Sequence, residues 1–155
     1  MNEQNKRPEM NVSAIRHGTV IDHINSEATF KVAKLLKVGD EDNIVLVAMN
    51  LESEKLGHKG IIKIENRELT PDEVNKIAVA APNATLNIIS NFEVVEKSKV
   101  HLPDKIERVV KCQNPRCITN QEGVMTRFEV IEETPPALRC TYCERVMRGS
   151  NILLK

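Results

Sequence analysis

The spacing of apolar residues changes period repeatedly along this chain, and each change marks an element. Residues 12–24 read as extended with a break around His17-Gly18, placing Val20 and Ile24 on one face and Ile21 on the other. Ser26 is placed to cap a helix whose apolar face is Ala28, Val32, Leu35 and Leu36, and Gly39 is expected to stop it. Residues 44–51 are almost wholly apolar, which predicts a strand covered on both faces. Residues 60–65 alternate, with Ile62 and Ile64 on one side and Ile61 and Lys63 on the other. Thr70-Pro-Asp-Glu73 is a capping box with proline at the first helical position; Val74, Ile77, Ala78 and Ala81 continue a helix that Pro82 ends. Residues 85–89 and 92–96 are predicted strands joined at Ser90-Asn91.

Strand, helix, strand, strand, helix, strand, with one strand more, is the ferredoxin-like split arrangement: an α+β fold in which an antiparallel sheet carries two helices on one face. The apolar 44–51 strand suggests that the other face is covered too, and homodimerisation through that sheet would do so. His101-Leu-Pro-Asp104 marks a boundary. Residues 1–11 read as a flexible polar tail, 12–102 as a first domain and 103–155 as a second, small and β-rich. In the second, a helical turn is expected over 104–109 and short strands over 124–131, 137–140 and 146–154.

The last third holds all four cysteines, Cys112, Cys117, Cys140 and Cys143, as C-x4-C, 22 residues, then C-x2-C. Two short loops can each aim two thiolates at one ion, which is the pattern of a tetrathiolate zinc site. Four unrelated buried cysteines are the plainer reading, and iron in the same shell is a further one. A closed shell of four thiolates leaves no position for substrate, so such a metal is structural. About fifty residues cannot build a sufficient core alone, and metal binding should supply much of their folding free energy.

Composition narrows the function. With 41% hydrophobic residues the chain can bury a core, and 22 basic residues against 22 acidic ones leave no excess for coating nucleic acid. No tryptophan and one tyrosine, Tyr142, argue against stacking platforms for single strands. The longest apolar run, residues 44–49, is far short of a membrane span, and the N-terminal decapeptide has no apolar core of a signal peptide. The expectation is a soluble, cytoplasmic protein. His17, His23, His58 and His101 sit in no recognisable catalytic motif, and Gly57-His58-Lys59-Gly60 lacks phosphate-loop spacing. More informative are polar residues interrupting strands: Asp22, Lys63, and Lys97 with Lys99 on one face. Lysines suit a polyphosphate and a carboxylate suits ribose hydroxyls, although edge-strand lysines also simply discourage aggregation.

Several segments in order carry a resemblance. They are Gly18-Thr-Val-Ile-Asp-His-Ile24, Ile62-Lys-Ile-Glu-Asn66, Ala81-Pro-Asn-Ala-Thr85, Asn91-Phe-Glu-Val-Val-Glu-Lys-Ser98 and Leu102-Pro-Asp-Lys-Ile106, followed by the cysteine pairs and Cys143-Glu144. From about residue 12 onward the chain resembles the regulatory chain of aspartate carbamoyltransferase. The resemblance implies a non-catalytic subunit with an N-terminal allosteric domain that binds nucleotides. It also implies a C-terminal zinc domain that docks on the catalytic chain, homodimerisation through the N-terminal domain, and feedback control of pyrimidine biosynthesis by CTP and ATP. The implied effector site comprises Ile15, Asp22, His23, Lys59, Lys63, Asn87, Phe92, Val94, Lys97 and Lys99, with Asp22 and Lys63 toward the ribose and Lys97 and His23 toward the phosphates. Phe92 stands where tyrosine occurs in the best-known member of that family, and Lys99 replaces an arginine.

Two other readings compete. A zinc-ribbon nucleic-acid-binding module is one, but nine basic against seven acidic residues from Asp104 on is thin for a phosphate backbone. A zinc enzyme is the other, disfavoured by the closed shell.

Overall fold

In the computed structural model, residues 14–155 are described, and the expected polar tail over 1–11 lies outside them. The first half builds β1 (Gly18–Asn25), a 3₁₀ turn (Ser26–Ala28), α1 (Thr29–Leu35), β2 (Val45–Ser53), β3 (Gly57–Glu65), α2 (Pro71–Ala80), β4 (Thr85–Ser90) and β5 (Glu93–Lys99). The strands form one antiparallel sheet in the order β2-β3-β1-β4-β5, the ferredoxin-like order with β5 added beside β4. Ile21, Ile24, Ile62 and Ile64 on one face pack with Val32 and Leu36 of the α1 segment and Ile77 and Ala78 of α2. The Thr70 capping box forms as expected. The cap is worth about 1 kcal/mol, whereas each fully buried isoleucine contributes roughly 1.5–3 kcal/mol, so packing rather than capping holds α2 in place.

Four local expectations are corrected. Ile24 lies on the same side as Ile21, because a bulge between Ile21 and Ile24, with His23 at φ 55, breaks the two-residue alternation. Ser26 does not cap a helix. Its hydroxyl instead receives the Asn50 N–H at 2.7 Å and donates to Asn50 Oδ1 at 2.9 Å, pinning a second bulge in β2. The helix ends at Leu35 with Leu36 as its C-cap and Lys37 left-handed, so the chain turns two residues before Gly39. β2 is an edge strand whose apolar residues are only half-buried, and Ile44 beside it is 69% exposed.

The second half contains β6 (Lys105–Glu107), β7 (Val110–Lys111), α3 (Ile118–Gln121), β8 (Arg127–Glu132), β9 (Ala137–Cys140), β10 (Val146–Arg148) and β11 (Leu153–Leu154). β10, β9, β8 and β6 make an antiparallel sheet, and β11 pairs with β7. Residues 105–107 are a strand, not a helical turn: Ile106 is buried between two outward polar residues and pairs with Phe128. The strand expected over 146–154 is cut at Gly149 by a 3₁₀ turn, after which β11 joins a different sheet. The short helix α3 was not anticipated. One continuous apolar cluster runs from Ile21 through Val100 and Leu102 to Phe128, Leu138 and Met147. The two halves therefore share a core, and an ion pair between Asp72 and Arg108 at 3.4 Å also joins them.

Candidate effector cleft and metal centre

On the sheet face opposite the helices, cross-strand pairing sets Lys63, Val20, Asn87 and Lys97 in one row across β3, β1, β4 and β5. Around that row lies a cleft of about 320 Å³, near the lower bound for small-ligand sites. Seven of the ten residues singled out from the sequence line it: Ile15, Asp22, Lys63, Asn87, Phe92, Val94 and Lys97. Val94 and Lys97 share it despite their odd separation, because a bulge opposite Ile88–Ile89 shifts the register of β5. The β4–β5 turn has both Asn91 and Phe92 at positive φ, the two-residue hairpin geometry. The Phe92 N–H donates to the Arg16 carbonyl at 3.0 Å, so the hairpin tip is tied to the incoming chain beside Ile15.

His23, Lys59 and Lys99 do not line the cleft directly. Lys59 donates to Asp22 Oδ1 at 2.9 Å, and the His23 N–H donates to the same oxygen at 2.6 Å. Burial pushes the Asp22 carboxyl up, but these two bonds and the Lys59 charge outweigh it and hold the pKa below the ordinary value. The His23 ring nitrogen Nδ1 lies 3.0 Å from the Thr85 hydroxyl, and Thr85 pairs with both Asp22 and Lys99. These three residues thus gather at one end of the row. Sequence reasoning missed Ala14, Val20, Ile61 and Ile89, which join Ile15, Phe92 and Val94 in the apolar part of the lining. Val20 and Ile61 lie two residues from Asp22 and Lys63, so strand period alone could have found them.

A larger cleft, about 610 Å³, lies around His17, Asn66, Arg67 and Ser90. Its cation is committed: Arg67 pairs with Glu73 and, at 3.4 Å, with Glu41. The smaller cleft suits an anion better, because Lys63 and Lys97 line it without an ion-pair partner among the described residues.

The four cysteine sulfurs lie within 4.8 Å of one another and form the only such ligand cluster among the described residues. Cys112 and Cys143 are 3.6 Å apart, and Cys117 and Cys140 are 3.7 Å apart. A tetrahedron with metal–sulfur bonds of about 2.3 Å has edges of about 3.8 Å, so the donor set fits a tetrathiolate ion. All four are free thiols. Without a cation their ionisation is strongly uneven. Burial, then the neighbouring thiols, push Cys112 up to about 12 and raise Cys140. Burial opposes ionisation of Cys143 too, but the Arg145 N–H and the Asn114 side chain donate to it and bring it to about 7. Asn120 braces the first loop, its amide donating to the carbonyls of Cys112 and Asn114 at 2.8 Å each. Asn114 and Asn120 carry no signal in the sequence beyond their place in a cysteine loop.

Fold and sites together define a two-module chain: an α+β sheet module with a cleft on its open face, joined to a small metal-binding module built on four cysteines. Residues 10–101 match the model of the aspartate carbamoyltransferase regulatory chain, allosteric domain, and residues 104–153 match that of its metal binding domain. Aspartate carbamoyltransferase regulatory chains similar to it include that of Pyrococcus abyssi, 54% identical over 94% of this chain and 97% of the relative. That of Methanothermobacter thermautotrophicus is 50% identical over 95% and 96%, and that of Porphyromonas gingivalis 50% over 96% and 99%. The chain belongs to the family of aspartate carbamoyltransferase regulatory chains. It is a regulatory, non-catalytic subunit with an allosteric and a metal-binding domain. Among the described residues no helix is long and apolar enough to cross a membrane.

Proposed function

We propose that this chain binds nucleotide effectors, CTP and ATP, in the open-face cleft and passes their effect to catalytic chains of aspartate carbamoyltransferase, on which its zinc-bearing module docks. The observation that carries the reading is the convergence of Ile15, Asp22, Lys63, Asn87, Phe92, Val94 and Lys97, drawn from five separate segments, on one cleft. The chemistry is matched: ammonium groups of Lys63 and Lys97 for phosphates, an oriented carboxylate at Asp22 for ribose hydroxyls, and apolar Ile15, Phe92 and Val94 for a base. His23, Lys59 and Lys99 complete the site from its margin. Zn²⁺ is held by Cys112, Cys117, Cys140 and Cys143, where it supplies a structural cross-link and no reaction step. The half-buried apolar edge of β2 supports pairing of two copies through the N-terminal module. A nucleotide that binds one arrangement of the assembly more tightly than the other biases the catalytic chains by that difference alone.

The test is reconstitution. The purified chain is mixed with catalytic subunits, and carbamoyl-aspartate formation is followed with and without CTP and ATP. Co-assembly with a nucleotide-dependent rate supports the reading. Co-assembly with a rate indifferent to both nucleotides removes the effector assignment, and failure to assemble removes the docking role.

A further inference from the structure

A divalent ion among four thiolates carries an excess of negative charge into a buried cluster, and that charge must be met by donors from the chain itself. Backbone N–H groups meet part of it at the second cysteine pair. At the first pair the Asn114 N–H does so for Cys112, and a side-chain hydroxyl does so for Cys117. Thr119, 7% exposed, places its Oγ1 3.2 Å from the sulfur of Cys117, itself 2% exposed. The geometry is held from three sides. Cys117 is the residue from which α3 starts, and its carbonyl accepts the N–H of Asn120 at 2.9 Å, which fixes Thr119 two residues on. The Cys117 N–H donates to the Asn114 carbonyl at 3.0 Å. The Asn120 amide then closes the loop onto Cys112 and Asn114.

A buried hydroxyl facing a thiolate has one useful orientation, with its hydrogen toward sulfur. Such a bond withdraws charge from the sulfur, weakens repulsion among the four ligands, and makes protonation or attack at that sulfur harder, the first step of metal loss. A hydrophobic residue of the same shape would pack equally well but leave the Cys117 charge unmet.

We propose that Thr119 is a positioning residue for the metal centre, whose hydroxyl donates to the Cys117 thiolate and sets how slowly the ion is released. This rests on the metal-centre reading above. The experiment uses the full-length zinc-loaded chain, wild type, Thr119→Val and Thr119→Ser, with zinc transfer to a chromophoric chelator followed in time. Removing a partner of this kind changes metal affinity by roughly 10–100-fold, so Thr119→Val should release zinc at least about ten times faster, with Thr119→Ser close to wild type. The cobalt-loaded forms give a second readout that packing alone would not move: the thiolate-to-cobalt absorption of Thr119→Val should shift to lower energy, because an unbonded sulfur is the better electron donor. Thr119→Ala serves the same comparison if valine prevents folding. Release rates and spectra identical in wild type and Thr119→Val overturn the proposal, as does a serine variant as labile as the valine one. A wild-type chain that takes up neither zinc nor cobalt overturns the metal-centre reading, and this inference with it.

Discussion

Lys59 and Asp22 hold one another across β3 and β1, Nζ to Oδ1 at 2.9 Å, at the margin of the open-face cleft. Each side chain is about one-fifth exposed. The bulge at His23 makes the contact useful, because the same carboxylate oxygen also receives the His23 N–H. The carboxylate is therefore held in one orientation, with Oδ2 4.0 Å from the His23 ring nitrogen Nδ1.

That pair has a pH signature. The Asp22 pKa is lowered in the folded chain, so its stabilisation is complete above the ordinary carboxylate pKa, about 3.9, and is lost as pH falls through the lower folded value. Asp22→Asn should cost about 1–3 kcal/mol at pH 7, from the weakened bonds to Lys59 and His23. By pH 3 and below, the difference from wild type should shrink. Denaturant unfolding at both pH values checks this, and a penalty unchanged on acidification would show that the carboxylate's charge contributes nothing.

Lys97→Ala should weaken CTP binding about 10- to 100-fold, the loss of one charge-assisted bond, while zinc content stays at its wild-type level. Calorimetry with parallel metal analysis separates the two. Equal CTP affinity in wild type and variant would take Lys97 out of the site.

Metal removal should expose the uneven thiols. In the chelator-treated chain at pH 7.5, brief alkylation should label Cys143, near 7, well before Cys112, pushed up to about 12. Peptide mass spectrometry gives the order. Equal labelling of all four would mean that the loops collapse on losing the ion and keep none of their geometry.

Gly60 is a packing requirement and not a turn. A β-carbon there would lie 1.8 Å from the hydroxyl of Thr29, the fully buried first residue of α1. Gly60→Ala should cost about 1–3 kcal/mol, the usual penalty for overpacking, and Thr29→Ala in the same chain, which removes the clashing hydroxyl and the methyl beside it, should recover part of it. Thermal unfolding of the single and double variants checks the coupling.

What the sequence determined by itself was everything carried by neighbours along the chain. The helix α2 was legible because its cap, its proline and its 3.6-residue apolar period lie within a dozen positions. The cysteine pairs were legible because two short loops can each aim two thiolates at one ion. The polar interruptions Asp22, Lys63 and Lys97 stood out against strand alternation, and the tertiary structure brings them to one cleft. Only the tertiary structure decided the rest. The bulge at His23 exists only in the register of β1 against β3, and that at Asn50 is pinned by Ser26, 24 positions away, so no local pattern announces that Ile24 turns inward or that Ser26 abandons the helix. Residues 105–107 became a strand because β8 offered Ile106 a partner across the sheet, and 146–154 broke because β7 claimed its end. The apolar lining of the cleft, and the pairing that ties up Arg67 in its larger neighbour, follow from register and from ion pairs between distant segments. Propensity and period are local free energies; register, bulges and buried charge are set by partners that meet only once the chain has folded.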